Sequence, residues 1–170
     1  MAGGGRLIYA VTGHRPDKLG GYSDIATDRL EQFAVEVLTL NRPSTVITGM
    51  ALGWDQAVAF ACWVLDIPFI AAVPFASHSS LWTEKQQEIY KFNLSLASKR
   101  VIVCNGAYSP EKMMTRNRWM VDYALIQKRC KLLALWNGEK QGGTWNCVEY
   151  AQGKGMEVVN VWPVWEKWPG

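Results

Sequence analysis

The chain predicts an α/β fold: a single doubly wound domain with a mainly parallel sheet and helices on both faces. Three observations carry this reading. Short apolar runs rich in β-branched residues alternate with stretches of helical spacing, which implies right-handed crossovers between parallel strands. No internal repeat, low-complexity tract or linker breaks the alternation. The 170 residues bury one real core and leave little room for a second.

Leu7–Val11 is an apolar strand that ends in Thr12-Gly13-His14-Arg15-Pro16. Ile25, Leu30, Phe33, Ala34, Val37 and Leu38 recur at helical spacing over Ile25–Leu40, and Asn41-Arg42-Pro43 stops that helix. Thr45–Val58 (TVITGMALGWDQAV) is the stretch around which the rest is arranged. It opens as a buried strand, breaks at Gly49 and Gly53, and restarts as a helix at Asp55 that runs to about Leu65. Pro68–Pro74 is a third buried strand, Glu84–Ala97 a helix and Arg100–Cys104 a fourth strand. Ser109-Pro110-Glu111 begins a helix with proline well placed in its first turn, running to about Gln127. Lys131–Trp136 is strand five, Thr144–Gly153 a short helix and Glu157–Trp162 strand six. Residues 1–5 read as a flexible leader. Val161–Gly170 (VWPVWEKWPG) is either a wrap over the body or an exposed aromatic patch, and a packing or self-association role is favoured.

Composition narrows the function classes. Hydrophobic residues make up 49% and charged residues 19%, an ordinary globular balance, and a net charge of +3 is too small to argue for nucleic acid. No apolar run approaches the roughly 20 residues of a membrane span, and MAGGGRLIYAV lacks a signal-peptide pattern, so a cytoplasmic protein with no membrane partner is expected. Cys62, Cys104, Cys130 and Cys147 show no C-x-x-C spacing, which favours reduced thiols over disulfides or a zinc site. Neither a metal nor a cofactor is expected.

In open parallel sheets ligands sit beyond the carboxyl ends of the strands, near the topological switch point. The first exit carries Thr12, Gly13, His14 and Arg15; the second carries Gly49, Gly53, Trp54 and Asp55; the fifth carries Asn137-Gly138 and then Gln141-Gly142-Gly143-Thr144. Glycine turns expose unpaired amides at a helix N-terminus, where the dipole favours an anion. Two such turns with Arg15 on one rim suit a nucleotide-derived ligand. Dull readings stand beside these. Asp55 either caps its helix or accepts hydrogen bonds from a ribose, and His14 either orients a ligand or bonds the turn. Trp54 and Trp145 either stack on a base at the pocket rim or pack internally. His78, at the third exit, reads mainly as a loop histidine. Arg116 and Arg118 lie two apart on a helix and face different ways, so one reaches the pocket; Arg116 is chosen, with Asn117 beside it, while Met113, Met114 and Met120 are assigned to packing.

TGHRP after strand one, GMALGWDQAVA after strand two, MMTRNRWMVDYA before strand five and GGTWNCVEYA after it resemble the SLOG superfamily, most of all its YspA-like branch. The likeness runs from about Leu7 to Trp162. The superfamily also holds the lonely-guy phosphoribohydrolases and the Rossmann domain of the DNA-processing protein DprA. The resemblance implies a Rossmann-like fold, a nucleotide-derived ligand at the glycine turns and a dimer or higher oligomer. Arg116 matches the arginine of the hydrolases, but Trp145-Asn146-Cys147 stands where they carry acidic residues, and Glu149 follows about one turn later. Cleavage of an N-glycosidic bond needs a carboxylate near the developing oxocarbenium ion, a role left to Asp55 or Glu149. Binding of an ADP-ribose-like molecule or a cyclic nucleotide signal, as sensor or sequestering protein, is therefore favoured over an N-glycosidase. Single-stranded nucleic-acid binding, suggested by Lys128-Arg129-Cys130-Lys131 and the DprA likeness, comes third because no continuous basic stripe is present.

Overall fold

Caps and strand patterning set the elements. In the computed structural model, which describes residues 5–127 and 129–170, β1 (Leu7–Gly13) is buried along almost its whole length. A strand covered on both faces reads as a continuous apolar run. α1 (Asp24–Leu40) starts at Ser23, whose Oγ accepts the Ala26 N–H at 3.1 Å. β2 (Thr45–Thr48) leads to α2 (Trp54–Val64), and β3 (Phe69–Val73) to α3 (Glu84–Ser95), which opens with a reciprocal Thr83–Gln86 capping box. β4 (Lys99–Ile102) is mostly exposed, as a charged edge strand should be. α4 (Pro110–Ile126) is capped by Ser109, with proline in the first turn as the sequence indicates. β5 (Arg129–Leu135), α5 (Gly142–Gly153), β6 (Glu157–Asn160) and a short α6 (Trp162–Lys167) complete the chain. Residues 1–4 of the expected leader and Lys128 of the basic cluster lie outside the described residues.

All six strands are parallel, in the order β4-β3-β2-β1-β5-β6. Strand alternation divides the core. Tyr9 and Val11 join Phe33, Val58 and Tyr90 beneath α1, α2 and α3, whereas Ile8 and Ala10 join Met120, Val121 and Val148 beneath α4 and α5. The chain winds outward from β1 to β4, then crosses the opposite face to lay β5 beside β1, with Leu7 opposite Arg129 and Gly13 opposite Leu135. Connections leaving β1 and β5 therefore part in opposite directions and open a crevice between them.

The tail wraps the body rather than standing free. Trp165 is buried against Phe33, with ring centroids 5.1 Å apart, and the Arg29 guanidinium lies 4.2 Å from its ring centroid. Trp168 Nε1 donates to Glu36 Oε2 at 2.6 Å. Sequence patterning missed α6 because proline at its start and tryptophans throughout mask the helical period. The four cysteines are free thiols. Among the described residues no helix is long and apolar enough to cross a membrane, and no group of three His, Cys, Asp or Glu side chains gathers as metal ligands would.

Candidate functional site

A cleft of about 440 Å³ opens at the β1/β5 switch point. Thr12, Gly13, His14 and Arg15 line it from β1, Asp55 from α2, Arg116 and Asn117 from α4, and Gly142, Gly143 and Thr144 from the start of α5. These ten sequence-selected residues come together although 132 positions separate the first from the last.

The floor is electrostatic. Arg116 is 4% exposed; its Nε donates to Asn117 Oδ1 at 3.0 Å, and its Nη1 donates to the Ala72 carbonyl at 3.3 Å and to the Gly49 carbonyl. Its Nη2 has no hydrogen-bond partner among the described residues. Burial pulls the Arg116 pKa down, against the opposing charge of Asp55. Asp55 is buried too, and desolvation pushes its carboxyl up to about 6 although Arg116 and the Ala51 N–H, 3.3 Å from Oδ2, both favour the charged form. Arg15 is held extended before Pro16, at φ −79° and ψ 167°, as the X-Pro pair dictates.

One wall is an open helix terminus. α5 has no side-chain cap, Gly142 takes φ +88°, and the N–H groups of Gly142, Gly143 and Thr144 have no partner among the described residues. Asn117 Nδ2 reaches the Gly143 carbonyl at 3.5 Å and ties this turn to α4. These amides, at the positive end of a 12-residue helix, line the same cleft as Arg15 and Arg116, an arrangement that favours negative charge.

The second glycine turn works differently from its sequence reading. Gly49, Gly53 and Trp54 do not line the cleft. Trp54 N–H donates to the His14 carbonyl at 3.2 Å, Ala51 N–H to Asp55 and Met50 N–H to Thr48 Oγ1 at 3.4 Å, so these amides are spent on the protein. A Cβ on Gly49 would stand 2.7 Å from the Arg116 guanidinium, and one on Gly53, at φ +95°, would stand 2.5 Å from the His14 carbonyl oxygen. Both glycines are demanded by close approach of protein, and Gly53 also by its backbone angle. Trp54 is fully buried between Gly13 and Phe33, its ring centroid 5.8 Å from that of Phe33, which corrects its placement at a pocket rim. Trp145 stacks on Trp136 at 5.4 Å and is likewise absent from the lining.

His14 lines the cleft yet is occupied. The Asn137 N–H donates to its Nε2 at 3.0 Å, which needs an unprotonated nitrogen, and burial lowers its pKa. It thereby pins the β5 exit to the β1 exit. His78 does not line the cleft but packs among Phe75, Trp82 and Tyr90, with Nε2 buried and without a partner among the described residues and its pKa lowered to about 3, by burial first and then by the charges of Arg116 and Arg15. Glu149 lines a separate groove between α4 and α5, with Arg118 and Tyr150, rather than the cleft beside Arg116. Met113 and Met114, assigned to packing, line the cleft, as do Tyr108 and Asn146. Asn146 lies four residues after Gly142, a spacing that places it on the same helix face; Tyr108 left no such signal.

No family model matches the chain. Over 144 residues it is 32% identical to the uncharacterized SPbeta prophage-derived protein YoqJ of Bacillus subtilis, an alignment covering 74% of this chain and 79% of that protein. The chain belongs to the YoqJ family. A UPF0398 protein of Bacillus cereus is 28% identical over 165 residues, covering 90% of this chain and 86% of that one. Among solved structures, DNA processing protein A from Helicobacter pylori, described for its single-stranded DNA binding mode, superposes with a TM-score of 0.58 at 16% identity, covering 91% of this chain. The chain spans 64% of the length of that structure, and the likeness shows a shared Rossmann-like fold.

Proposed function

We propose that this YoqJ-family protein binds a nucleotide-derived small molecule, an ADP-ribose-like compound or a cyclic nucleotide signal, and acts as its sensor or sequestering protein. The observation that carries the reading is the cleft itself: three amides at the start of α5 without a partner among the described residues, in one lining with Arg15 and Arg116. Phosphate oxygens lie on Gly142, Gly143 and Thr144, the arginines supply charge, and Asp55 accepts from a ribose hydroxyl. Gly13 presents its backbone to the cleft while Trp54 fills the space where its Cβ would stand, and His14 keeps both exits in register. The motif resemblance to the SLOG superfamily and its YspA-like branch supports the same ligand class and a homo-oligomer.

Binding is preferred to N-glycosidic cleavage because Glu149 stands outside the cleft, which leaves buried Asp55 as the acid near Arg116. A thermal-shift panel of ADP-ribose, cyclic dinucleotides and nucleoside monophosphates, with chromatography of the mixtures, separates the readings. A rise in Tm without release of free base supports binding. Base release lost in Arg116→Ala supports the hydrolase, and a panel with neither a shift nor base release for any compound sinks both.

A second reading, single-stranded DNA binding, has its own observation. The α4/α5 groove shares Met114, Asn117 and Asn146 with the cleft, and there Arg118 and Lys154 lie 5.4 and 5.5 Å from the Tyr150 ring centroid. Cations around an aromatic ring beside an anion site fit a nucleotide strand, as the fold shared with DNA processing protein A also suggests. Oligonucleotide affinity falling steeply with salt, and weakened by substitutions at Arg118 and Lys154, would favour it.

A further inference from the structure

Behind the turn that closes one side of the cleft lies a second cavity, of about 290 Å³, which the proposed function does not use. Its walls come from α1 between Asp24 and Glu31, from α2 at Gln56 and Ala57 and from α3 between Lys85 and Asn93, and Leu52 and Gly53 lie on the side toward the cleft. Most of its surface is apolar, with Leu19, Leu30, Ala57 and Ile89 among the lining residues, and the Lys85–Asp24 ion pair, 2.7 Å long, stands at the rim.

Of the polar side chains on the lining, Gln56 and Asn93 are buried and Glu31 is partly buried. Gln56 and Asn93 are 7% and 3% exposed, and both line the cavity. Gln56 Nε2 donates to the Met50 carbonyl at 3.3 Å, and Asn93 Nδ2 donates to Gln56 Oε1 at 3.3 Å. The chain of amides ends there: Asn93 Oδ1 accepts nothing from the described residues. The Asn93 side chain is 97% buried, yet its Oδ1 is open to the cavity, where a ligand donor can take the place of water. Glu31 adds a second acceptor on the α1 wall, with no ion-pair partner among the described residues.

We propose that this cavity is a second ligand site, taking a compact, mostly apolar small molecule that presents an amine or ring N–H donor to Asn93 and Glu31. The volume admits a bicyclic aromatic amine, and a mostly apolar wall carrying Glu31 does not suit a phosphate, so its occupant differs in class from that of the cleft. Anionic ligands are disfavoured, since Glu31 faces the cavity and its one lysine is tied to Asp24.

The site is testable with tryptamine, indole and indole-3-acetate as probes, followed by amide chemical shifts of the full-length protein. Tryptamine is expected to bind with a Kd of about 1 mM, the affinity normal for a fragment of its size, and to move the Leu52, Gly53 and Ala57 amides while sparing Gly143 and Thr144. Indole should bind more weakly and indole-3-acetate not at all. Ile89→Trp, which enlarges a half-exposed wall residue, should cut tryptamine affinity at least about tenfold by filling the space. Glu31→Gln should weaken tryptamine several-fold and leave indole unchanged, a readout independent of whether Ile89→Trp folds. The proposal is overturned if no probe binds at about 10 mM, if shifts gather at the cleft or at the rim alone, if indole-3-acetate matches tryptamine, or if the folded variants bind as the parent does.

Discussion

Gly49→Ala should disarm the cleft without touching it. The Gly49 backbone lies outside the left-handed region, so alanine meets no torsional penalty and the whole cost falls on contact. Its Cβ would stand 2.7 Å from Cζ and Nη1 of Arg116 and 2.9 Å from Nε. The guanidinium must retreat, and it is held by the carbonyls of Gly49 and Ala72 and by Asn117. Hydrogen bonds to a charged group are worth about 1.5–3 kcal/mol each, and water in the cleft replaces part of what is lost, so a net cost of about 2 kcal/mol is expected. That is measurable against the roughly 5–15 kcal/mol that holds a domain together. Urea unfolding followed by fluorescence of the nine tryptophans supplies the assay, run as a double-mutant cycle with Arg116→Met. Arg116→Met alone should cost about 3–5 kcal/mol by leaving two buried carbonyls and Asp55 without their cation. In that background Gly49→Ala should cost under about 0.5 kcal/mol, a coupling of about 1.5–2 kcal/mol. Equal cost in both backgrounds would refute the placement of the guanidinium against Gly49, and the charged floor of the cleft with it.

Other substitutions test separate parts of the structure. Burial and Asp28 hold the Glu31 carboxyl up at about 7, so the folded chain binds the extra proton; that stability is present below about pH 4 and lost as pH rises through 7. Glu31→Gln should remove this slope and, allowing for partial exposure, exceed the parent by about 1–2 kcal/mol at pH 8 but not at pH 4, measured by urea melts. Gly53→Ala combines φ +95° with a 2.5 Å contact to the His14 carbonyl and should cost about 3 kcal/mol or leave the chain insoluble. Trp165→Ala, which empties the space against Phe33 and removes the ring under Arg29, should cost about 3–4 kcal/mol by denaturant titration; a loss under about 1 kcal/mol would mean that the tail does not pack on α1. Arg15→Ala, on a residue that lines the cleft without burying its charge in the core, should lower nucleotide-induced thermal stabilisation while shifting the unliganded Tm by no more than about 2 °C.

The sequence by itself determined the order and kind of the strands and helices as far as β6, though not α6, and the rim on which to look. Apolar runs, Ser109-Pro110 at a helix start and Asn41-Arg42-Pro43 at a helix end act within a few residues, so local chemistry decides them. Two residues apart on a helix, Arg116 and Arg118 had to face different ways, and the motif resemblance pointed to Arg116. Only tertiary structure decided which glycine turn stays open. GMALGWD and QGGTW look alike as strings, but the first meets the His14 carbonyl and an arginine 67 residues away, whereas nothing among the described residues reaches the amides of the second. Whether Trp54 faces ligand or core, and whether Trp165 stands free or lies on Phe33, likewise depends on partners far along the chain. Periodicity reports which side of an element is apolar; the occupancy of a loop's amides is set by long-range contacts that no local pattern contains.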